Sequence, residues 1–378
     1  MNTDLMAYVE DNLGGVLELI KELCKIPAPT HQEKARAEYC AAWMEGAGYE
    51  NAHVDAAYNA VCSIGVEADN EVVLLIAHTD TVFPDLEPLP MYEENGKLYC
   101  PGVGDNTGHV AMLLYAAKYF LQKGMTPPYG VVFSANSCEE GGGNKGIRQL
   151  METYKGRVRE VISIDGNYDF IYDNTLASAM MEITAKTEGG HAYNFFGNRS
   201  AVHVLSSFVT ELYKLKLKEG MSYNVGVFEG GKQVNAIPEE ATIKMEYRAA
   251  NNEDLDFIYE KIMEIVEMHK PMAESLSVEK VKETRIAGKV DLEKQRAVAQ
   301  KVKQVVWDVF GEEPKYRGAM TDCVVPLAMG VPAVCFGTYS GGGAHSRGEW
   351  LDLDSIPKAF EIVMKFIATY FEGQPWKL

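Results

Sequence analysis

The sequence lacks the features that mark membrane, secreted and nucleic-acid-binding proteins. No stretch approaches the roughly 18 consecutive apolar residues that a membrane-spanning helix needs. The first residues show no basic segment followed by an apolar one, as a secretory signal would. Basic residues are scarce, since 36 Lys and Arg stand against 54 Asp and Glu, a net charge of -18. With so few cations to neutralise phosphates, neither nucleic acid nor membrane is an expected partner. We expect a cytoplasmic protein.

Paired cysteines are also missing. The seven cysteines are odd in number and scattered along the chain, and no two of them form a Cys-x-x-Cys pair. A disulfide framework or a thiolate zinc site would need such pairing. We therefore interpret the cysteines as reduced residues of the core.

The chain does contain a regular alternation of predicted strands and helices. Its 378 residues favour two domains. The clearest strand is the apolar run from Val72 to Ala77, which has no helical spacing and ends in His78. Further strands are predicted near Val61 to Val66, Gly130 to Ala135, Val158 to Ile164 and Val331 to Phe336, the last pairing only after Pro332. Such alternation predicts an α/β fold with a mainly parallel sheet.

Helices are predicted on both sides of these strands. One covers about Asp4 to Lys25, and a capping box at Thr30 and Glu33 predicts the start of the next. Others are predicted from about Leu292 to Phe310 and from Ser355 to Tyr370. Helices in these positions are expected to cover the sheet.

The pattern changes between residues 177 and 286. Strands with alternating apolar and polar residues appear there, with a helix from about Ser200 to Leu217 and another from about Asp254 to His269. The predicted order is β-α-β-β-α-β, which is the ferredoxin-like unit. Residues 177–286 are therefore predicted to form an α+β domain inserted into one domain made of residues 1–176 and 287–378.

Acidic and histidine side chains follow the ends of several predicted strands. His78, Asp105, Glu140, Asp165 and His345 lie directly after strands, or in strand-to-helix loops, of what we predict to be one sheet. Ligands of open α/β sheets collect at this edge. Two imidazoles and three carboxylates suit two divalent metal ions such as zinc, with cobalt or manganese as substitutes. One carboxylate has to bridge, and Asp105 is the best candidate, because it is flanked by glycines and precedes a helix N-terminus.

Two further carboxylates adjoin this set. Asp80 follows His78 by two residues, so strand pleating places it on the same side, able to orient the imidazole. Glu139 directly precedes Glu140, and neighbouring side chains in an extended loop point apart. Glu139 can therefore face the attacking water and act as general base while Glu140 binds metal.

Taken singly, each residue also has an ordinary structural explanation. An acidic pair such as Glu139-Glu140 is usually solvated, Asp105 could cap a helix, and Asp165 could belong to a turn. Nucleotide-binding explanations of the glycine-rich loops fit poorly. The pattern from Gly102 to Gly108 is too long for a dinucleotide fingerprint, and Lys145 is not followed by the Ser or Thr of a phosphate loop.

Taken together, the motifs resemble those of the co-catalytic dizinc exopeptidases and deacylases, a family that includes tripeptidase, glutamate carboxypeptidase, aminoacylase, acetylornithine deacetylase and succinyl-diaminopimelate desuccinylase. The resemblance covers nearly the whole chain. The matching segments are His78-Thr79-Asp80-Thr81, Gly104-Asp105-Asn106-Thr107-Gly108, Glu139-Glu140-Gly141, Asp165-Gly166, Gly190-His191, Asn235-Ala236-Ile237-Pro238, Arg248 and Ala344-His345-x-x-x-Glu349.

The resemblance implies a role for each matched residue. Asp105 would bridge two ions, with His78 and Asp165 completing one site and Glu140 and His345 the other. Glu139 would be the general base and Asp80 its supporting carboxylate.

It further implies a phosphorylase/hydrolase-like catalytic domain whose inserted domain is a lid that also forms a homodimer. His191 would stabilise the oxyanion, often in the partner subunit's site, and Asn235 and Arg248 would hold the substrate carboxylate. Two departures concern the substrate side: aromatic residues follow the lid histidine in Ala192-Tyr193-Asn194-Phe195-Phe196, and Cys323 replaces a small residue after Thr321-Asp322.

The expected function is therefore hydrolysis of an amide bond by a metal-activated water. The substrate would be a small peptide with a free carboxylate, cleaved by a di- or tripeptidase-like exopeptidase. An N-acyl-amino-acid deacylase of the acetylornithine deacetylase type is the alternative. A catalytically silent dimeric binding protein and a two-metal phosphoesterase are hypotheses from other classes. The first is disfavoured because every ligand and catalytic acid is present, the second because the loops are acidic rather than cationic.

Overall fold

The structure is a computed structural model that describes residues 3–141, 143–286 and 290–371. Two short parts of the predicted catalytic domain lie outside the described residues. They are Gly142, directly after Glu139-Glu140-Gly141, and residues 287–289, where the catalytic domain is predicted to resume after the inserted domain. The chain divides into two compact units, the first formed by Met1–Asn174 with Ala287–Leu378 and the second by Thr175–Ile286.

The helices of the described residues are α1 (Thr3–Cys24), α2 (Lys34–Gly46), α3 (Gly108–Gln122), α4 (Lys145–Thr153), α5 (Ala201–Leu212), α6 (Asn252–His269), α7 (Leu292–Phe310), α8 (Val324–Ala328) and α9 (Ile356–Phe371). The strands are β1 (His53–Val54), β2 (Ala60–Ile64), β3 (Val72–His78), β4 (Tyr92–Glu94), β5 (Lys97–Tyr99), β6 (Gly130–Asn136), β7 (Val158–Ile164), β8 (Phe170–Asn174), β9 (Ala177–Lys186), β10 (Gly190–His191), β11 (Met221–Gly230), β12 (Ala236–Ile237), β13 (Glu240–Ala249), β14 (Ser275–Thr284), β15 (Lys315–Gly318), β16 (Ala333–Phe336), β17 (Gly341–Gly342) and β18 (Trp350–Asp352). None of the helices described combines the length and apolar character needed to cross a membrane.

The first unit is built on an eight-stranded sheet with the order β1-β2-β6-β3-β7-β16-β8-β15. Its centre is parallel, because β3 pairs in parallel with both β6 and β7, and β16 with β7. Antiparallel pairs occur toward the edges, at β1 with β2, β2 with β6, and β16 with β8. The prediction of a mainly parallel sheet is confirmed, and β16 begins directly after Pro332 as expected.

Strand β3 lies at the centre of the sheet, and every residue of it is buried. Val73, Leu75 and Ala77 pack into one apolar cluster with residues of α1, α3 and α9. The alternate residues Val72, Leu74 and Ile76 pack into a second cluster with residues of α4 and α8. Helices therefore cover both faces, and each fully buried aliphatic side chain contributes about 1.5–3 kcal/mol to stability.

The sequence did not predict the short strands. Strands β8 and β15 extend the main sheet, and β17, β18, β5 and β4 form a separate four-stranded sheet. In that small sheet, Trp350 pairs with Tyr99 across a long sequence separation. Strands of two to five residues carry too little periodicity to be recognised without their partners.

The predicted capping box at Thr30 is wrong. Helix α2 begins at Lys34, and the Glu33 carboxylate accepts the backbone N–H of His31 at 2.8 Å. The Thr30 hydroxyl instead donates to Oδ2 of Asp80 at 2.8 Å. This hydroxyl therefore binds a carboxylate that is distant in sequence, and not the backbone at the start of a helix. The predicted helix from Ser200 to Leu217 also ends early, at Leu212.

The second unit contains a four-stranded sheet with the order β11-β13-β9-β14, in which every pair is antiparallel. Along the chain its main elements follow the order β9, α5, β11, β13, α6, β14. Alternate residues of β9, such as Met181 and Ile183, pack against α5 and α6 in one apolar cluster. A separate two-stranded pair, β10 with β12, aligns His191 with Ala236.

Candidate metal centre

Three predicted ligands meet at the end of the central strands. Nε2 of His78 lies 3.1 Å from Oδ1 of Asp105 and 3.7 Å from Oδ2 of Asp165. The His78 side chain is only 1% exposed, whereas Asp105 and Asp165 are partly open. Burial by itself would lower the pKa of His78, but the hydrogen bonds that Asp105, Asp165 and Asp80 accept from its ring raise that pKa well above its ordinary range. The group has the composition of a metal site.

A second group forms on the other side of Asp105. Nε2 of His345 lies 3.2 Å from Oδ2 of Asp105 and 3.1 Å from Oε2 of Glu140. The hydrogen bond to Asp105 is the main cause that raises the pKa of His345 to about 9. The two carboxylate oxygens of Asp105 thus face different histidines. This is the arrangement of a bridging carboxylate.

The spacing of these side chains fits metal ligands. Zn–N and Zn–O bonds are about 2.0–2.2 Å, so two ligands of one tetrahedral ion lie about 3.3–3.5 Å apart. The N···O distances here run from 3.1 to 3.7 Å. In each group, one ligand atom per residue lies within 4.8 Å of the others. Imidazole nitrogen with carboxylate oxygen is a donor set suited to zinc, cobalt or manganese. The residues therefore fit two such ions.

Strand pairing explains the position of three ligands. His78 is the last residue of β3, and β3 lies between β6 and β7. Asp165 directly follows β7, and Glu140 follows β6 in the loop before α4. Because these three strands are parallel neighbours, their carboxyl ends meet at one edge.

The prediction that Asp105 and His345 follow strands of the same sheet is wrong. Asp105 lies in a tight turn, Val103–Thr107, that leads into α3, and the strand before it, β5, belongs to the small sheet. His345 lies between β17 and β18 of that same small sheet. Asp105 and His345, two of the predicted ligands, are therefore positioned by the small sheet and not by the large one.

Glu349 holds the turn that carries Asp105. One of its carboxylate oxygens accepts the backbone N–H groups of Gly104 and Asp105, each at 2.8 Å, and the other accepts that of Gly102 at 2.7 Å. Glu349 is 1% exposed, and burial raises its pKa to about 7. From the other side, the Tyr339 hydroxyl donates to the Gly104 carbonyl at 2.5 Å. The Asp105 carboxylate therefore lies on a turn that hydrogen bonds hold from both sides.

Asp80, for which the spacing predicts an orienting role, contacts both His78 and the loop after β6. Its Oδ1 lies 3.5 Å from Nδ1 of His78 and accepts the backbone N–H of Glu139 at 3.0 Å. Its Oδ2 accepts the backbone N–H of Glu140 at 3.1 Å and the hydroxyl of Thr30. One buried carboxylate thus links His78 to the loop that carries the predicted base.

The predicted base, Glu139, has an altered acidity. Burial raises its pKa well above the ordinary carboxyl range, and the negative charges of Asp322, Asp165 and Glu140 add to the effect, while His78 opposes it. His78, Asp165 and Glu140 belong to the two ligand groups, so the Glu139 carboxyl lies within electrostatic reach of both. A carboxyl group with a raised pKa is suited to take up and release a proton near neutral pH.

Asp322 holds both ends of the same loop. It is fully buried and accepts the side-chain amides of Asn136, at the end of β6, and Asn144, before α4. Burial is the main cause that raises the pKa of Asp322 to about 6. The loop with Glu139 and Glu140 is thereby tied down before and after its acidic pair.

The remaining predicted site residues lie in the second unit. Asn235 directly precedes β12, and its carbonyl accepts the backbone N–H of Ala192, so that it neighbours His191. Arg248 lies near the far end of β13, where Nη2 donates to Glu246 at 3.0 Å. Within this unit, the structure brings Asn235 and His191 together but leaves Arg248 apart from them.

Thr30, Glu349 and Asp322 were not predicted to have roles in the site. Glu349 belongs to the matched motif around His345, and Asp322 belongs to the segment noted for Cys323, so the sequence did mark both positions. Neither carried a signal of its partners, which are backbone N–H groups and amides from distant segments.

Comparisons with known proteins agree with this geometry. The sequence model of peptidase family M20/M25/M40 matches residues 74–369. Succinyl-diaminopimelate desuccinylase of Corynebacterium glutamicum is 24% identical over 380 residues, covering 97% of this chain and 100% of the relative. A tripeptidase from Staphylococcus aureus superimposes with a TM-score of 0.75 at 18% identity, covering 94% of this chain and 99% of that one. A dinuclear metal-binding peptidase of the M20 family from Bacillus subtilis gives 0.68 at 13% identity, covering 96% and 99%. The solved structures share its fold.

Proposed function

We propose that this chain, which belongs to peptidase family M20/M25/M40 and is thus a metal-dependent hydrolase, cleaves small peptides with a free carboxylate as a di- or tripeptidase-like exopeptidase. The observation that carries the proposal is the double use of Asp105, whose two oxygens face His78 and His345. Family membership and the two candidate ligand groups support amide hydrolysis. The alternative, an N-acyl-amino-acid deacylase, draws support from the relative named as a desuccinylase.

Two divalent ions, zinc by our proposal and cobalt or manganese as substitutes, would polarise the scissile carbonyl and lower the pKa of water to about 7. His78, Asp105 and Asp165 would hold one ion, and Asp105, Glu140 and His345 the other. Glu139 accepts the proton of the attacking water and later donates it to the departing amine nitrogen. The Asp80 carboxylate keeps Glu139 in place by accepting a hydrogen bond from the backbone N–H of Glu139.

We assign the substrate carboxylate to Arg248 of one copy and to Asn235, which neighbours His191, of the other copy. A guanidinium offers parallel donors to a carboxylate. Nη2 of Arg248 is engaged by Glu246, but Nε is buried and has no hydrogen-bond partner among the described residues. A buried donor of this kind is stabilised when an anion binds to it. His191, which is exposed, would stabilise the oxyanion.

The second unit also supports a homodimer. From Glu240 to Arg248, β13 spans about 26 Å at roughly 3.3 Å per residue, and His191 lies beyond its Glu240 end. A dipeptide is only about 7 Å long. One copy therefore cannot place both His191 and Arg248 on the same small substrate. Tyr193, Phe195 and Phe196, beside His191, are 86%, 54% and 92% exposed, which is typical of an interaction surface.

Complementation tests the homodimer. We expect Glu139→Gln and His191→Ala each to be inactive as homodimers, because one lacks the base and the other the oxyanion donor. Co-expressed, they should regain part of the wild-type turnover, since a mixed dimer contains one site with both native residues. Two Glu139→Gln chains carrying different tags are the matched control and should stay inactive. A monomer in solution, or no recovery in purified mixed dimers, would contradict the proposal.

A substrate panel tests the reaction. We expect zinc-loaded protein to hydrolyse dipeptides or tripeptides with a free C-terminal carboxylate. Amidation of that carboxylate should lower kcat/KM by roughly 10- to 100-fold, the effect of losing a charged hydrogen bond. The measurement is the initial rate for each peptide, its amide and matched N-acetyl amino acids.

The panel also separates the other functions. Faster cleavage of N-acyl amino acids than of peptides would establish the deacylase instead. Cleavage of phosphoesters alone would identify a phosphoesterase. Binding without any turnover would leave a catalytically silent binding protein.

A further inference from the structure

A cavity of about 320 Å³ lies beside the metal centre in the first unit. Two predicted metal ligands, Asp105 and Asp165, form part of its wall, so the cavity opens onto the proposed site of chemistry. Phe170, Tyr172 and Trp350 contribute aromatic surface. A cavity of about 150 Å³ is enough to hold benzene. This cavity therefore has room for an aromatic side chain.

The aromatic rings are held in defined positions. The rings of Phe170 and Tyr172 lie 6.2 Å apart with an angle of 27° between their planes. The Trp350 ring lies against the backbone at Gly342, where an added Cβ would come within 2.9 Å of it. Gly166 adjoins the Tyr172 ring in the same way, at 3.6 Å. The glycines let the rings lie close to the backbone.

Three polar side chains of the wall are already engaged. Asn167 exchanges two hydrogen bonds with the backbone of Gly341, at 2.9 and 3.2 Å. The Thr321 hydroxyl accepts the backbone N–H of Cys323 at 3.2 Å. Glu349 is occupied by the turn that carries Asp105. These groups therefore have little capacity left to bind a polar ligand.

The wall offers no cation to a ligand. Of the described residues that line the cavity, none is Lys, Arg or His. The guanidinium of Arg317 lies 3.9 Å from the Phe170 ring centroid and the ammonium of Lys97 3.4 Å from that of Trp350, but neither residue is part of the wall. A carboxylate placed among these rings would lose its hydration with no cationic side chain of the wall to pair with, and it would compete with the scissile carbonyl for the two proposed metal ions.

We propose that this cavity binds an uncharged apolar or aromatic side chain on the acyl side of the scissile bond. The inference rests on the proposed function, because Arg248 and Asn235 there hold the carboxylate end of the substrate. The acyl side then remains for the wall that contains Asp105 and Asp165. The substrates are therefore peptides whose first residue is apolar or aromatic, and those with an acidic group at that position are rejected.

The test compares tripeptides that differ only in the first residue. With zinc-loaded protein, kcat/KM for Phe-Gly-Gly should exceed that for Gly-Gly-Gly by about 10- to 100-fold and that for Glu-Gly-Gly by about 100-fold or more. Lys-Gly-Gly completes the series and should also be poor. Equal values for the Phe, Gly and Glu peptides, or a preference for a charged one, would overturn the inference.

Variants of the wall test whether the preference for the first residue of the peptide arises in this cavity. Phe170→Ala should lower the ratio of kcat/KM for Phe-Gly-Gly to that for Gly-Gly-Gly. Tyr316→Ala is the matched control, because Tyr316 lies on the neighbouring strand β15 and is not part of the wall. Tyr172→Arg adds a cation and should raise kcat/KM for Glu-Gly-Gly relative to Phe-Gly-Gly. An unchanged order of preference in both wall variants would contradict the assignment.

A binding measurement separates this inference from the proposed function. Calorimetric titration of the Glu139→Gln variant with Phe-Gly-Gly and Glu-Gly-Gly reports the preference of the cavity without turnover. Tighter binding of Phe-Gly-Gly, together with no hydrolysis by the wild type, would refute the proposed function and leave the cavity assignment standing. Equal binding would refute the cavity assignment even if the wild type hydrolyses peptides.

Discussion

Glu139→Gln is expected to lower kcat by about 10³-fold, within the usual range for removal of a general base. The amide is nearly the same size as the carboxylate but cannot accept the proton of the attacking water. Both ions should remain bound, because Glu139 is not among the residues of the two ligand groups. The measurements are steady-state kinetics on the best tripeptide and metal content by mass spectrometry.

A matched substitution controls for the loss of an acidic residue. Glu152→Gln removes a carboxylate from the exposed side of α4, away from the ligand groups, and should leave kcat unchanged. Near-normal hydrolysis by Glu139→Gln would remove Glu139 from the mechanism. Loss of metal from that variant would instead make it a ligand.

Asp105→Asn is expected to weaken the binding of both ions. Substitution of residues that only support metal ligands costs about 10- to 100-fold in affinity, so loss of a shared ligand should cost more than about 100-fold at each site. His345→Gln should weaken one site only, because His345 contacts the group with Glu140 and not the group with His78. Metal stoichiometry after dialysis distinguishes the two outcomes.

The same experiment has a control that needs no substitution. Exhaustive chelation should abolish turnover, and added zinc, cobalt or manganese should restore it. If Asp105→Asn lost one ion and kept the other at full affinity, Asp105 would not be a bridge. An enzyme indifferent to chelation would contradict the two-metal proposal as a whole.

The long elements could be predicted because their patterns are local. The run from Val72 to His78 is apolar at every position, and only a strand buried on both faces accommodates such a run. Helix α7 was predicted to cover Leu292 to Phe310 and does so. The short strands that form the small sheet could not be found, because their pairing partners lie in distant segments.

The same contrast applies to the site. Parallel pairing of neighbouring strands was enough to predict that His78 and Asp165 would meet. The approach of Asp105 and His345 depends on the small sheet and on the Glu349 carboxylate, which binds three backbone N–H groups. At Thr30 the local pattern led to a wrong prediction. The sequence fitted a helix cap, whereas the hydroxyl binds the distant Asp80 carboxylate.

The sequence by itself determined the chemical identity of the site: imidazoles and carboxylates in the number and kind that suit two divalent ions, with two more acids, Asp80 and Glu139, close to ligands. These are properties of residue type and of order along the strands. The tertiary structure decided which oxygen of Asp105 faces which histidine, how Asp80 links His78 to the Glu139 loop, and which rings line the cavity. Those contacts join residues far apart in the chain, and the packing of sheets and turns sets their distances.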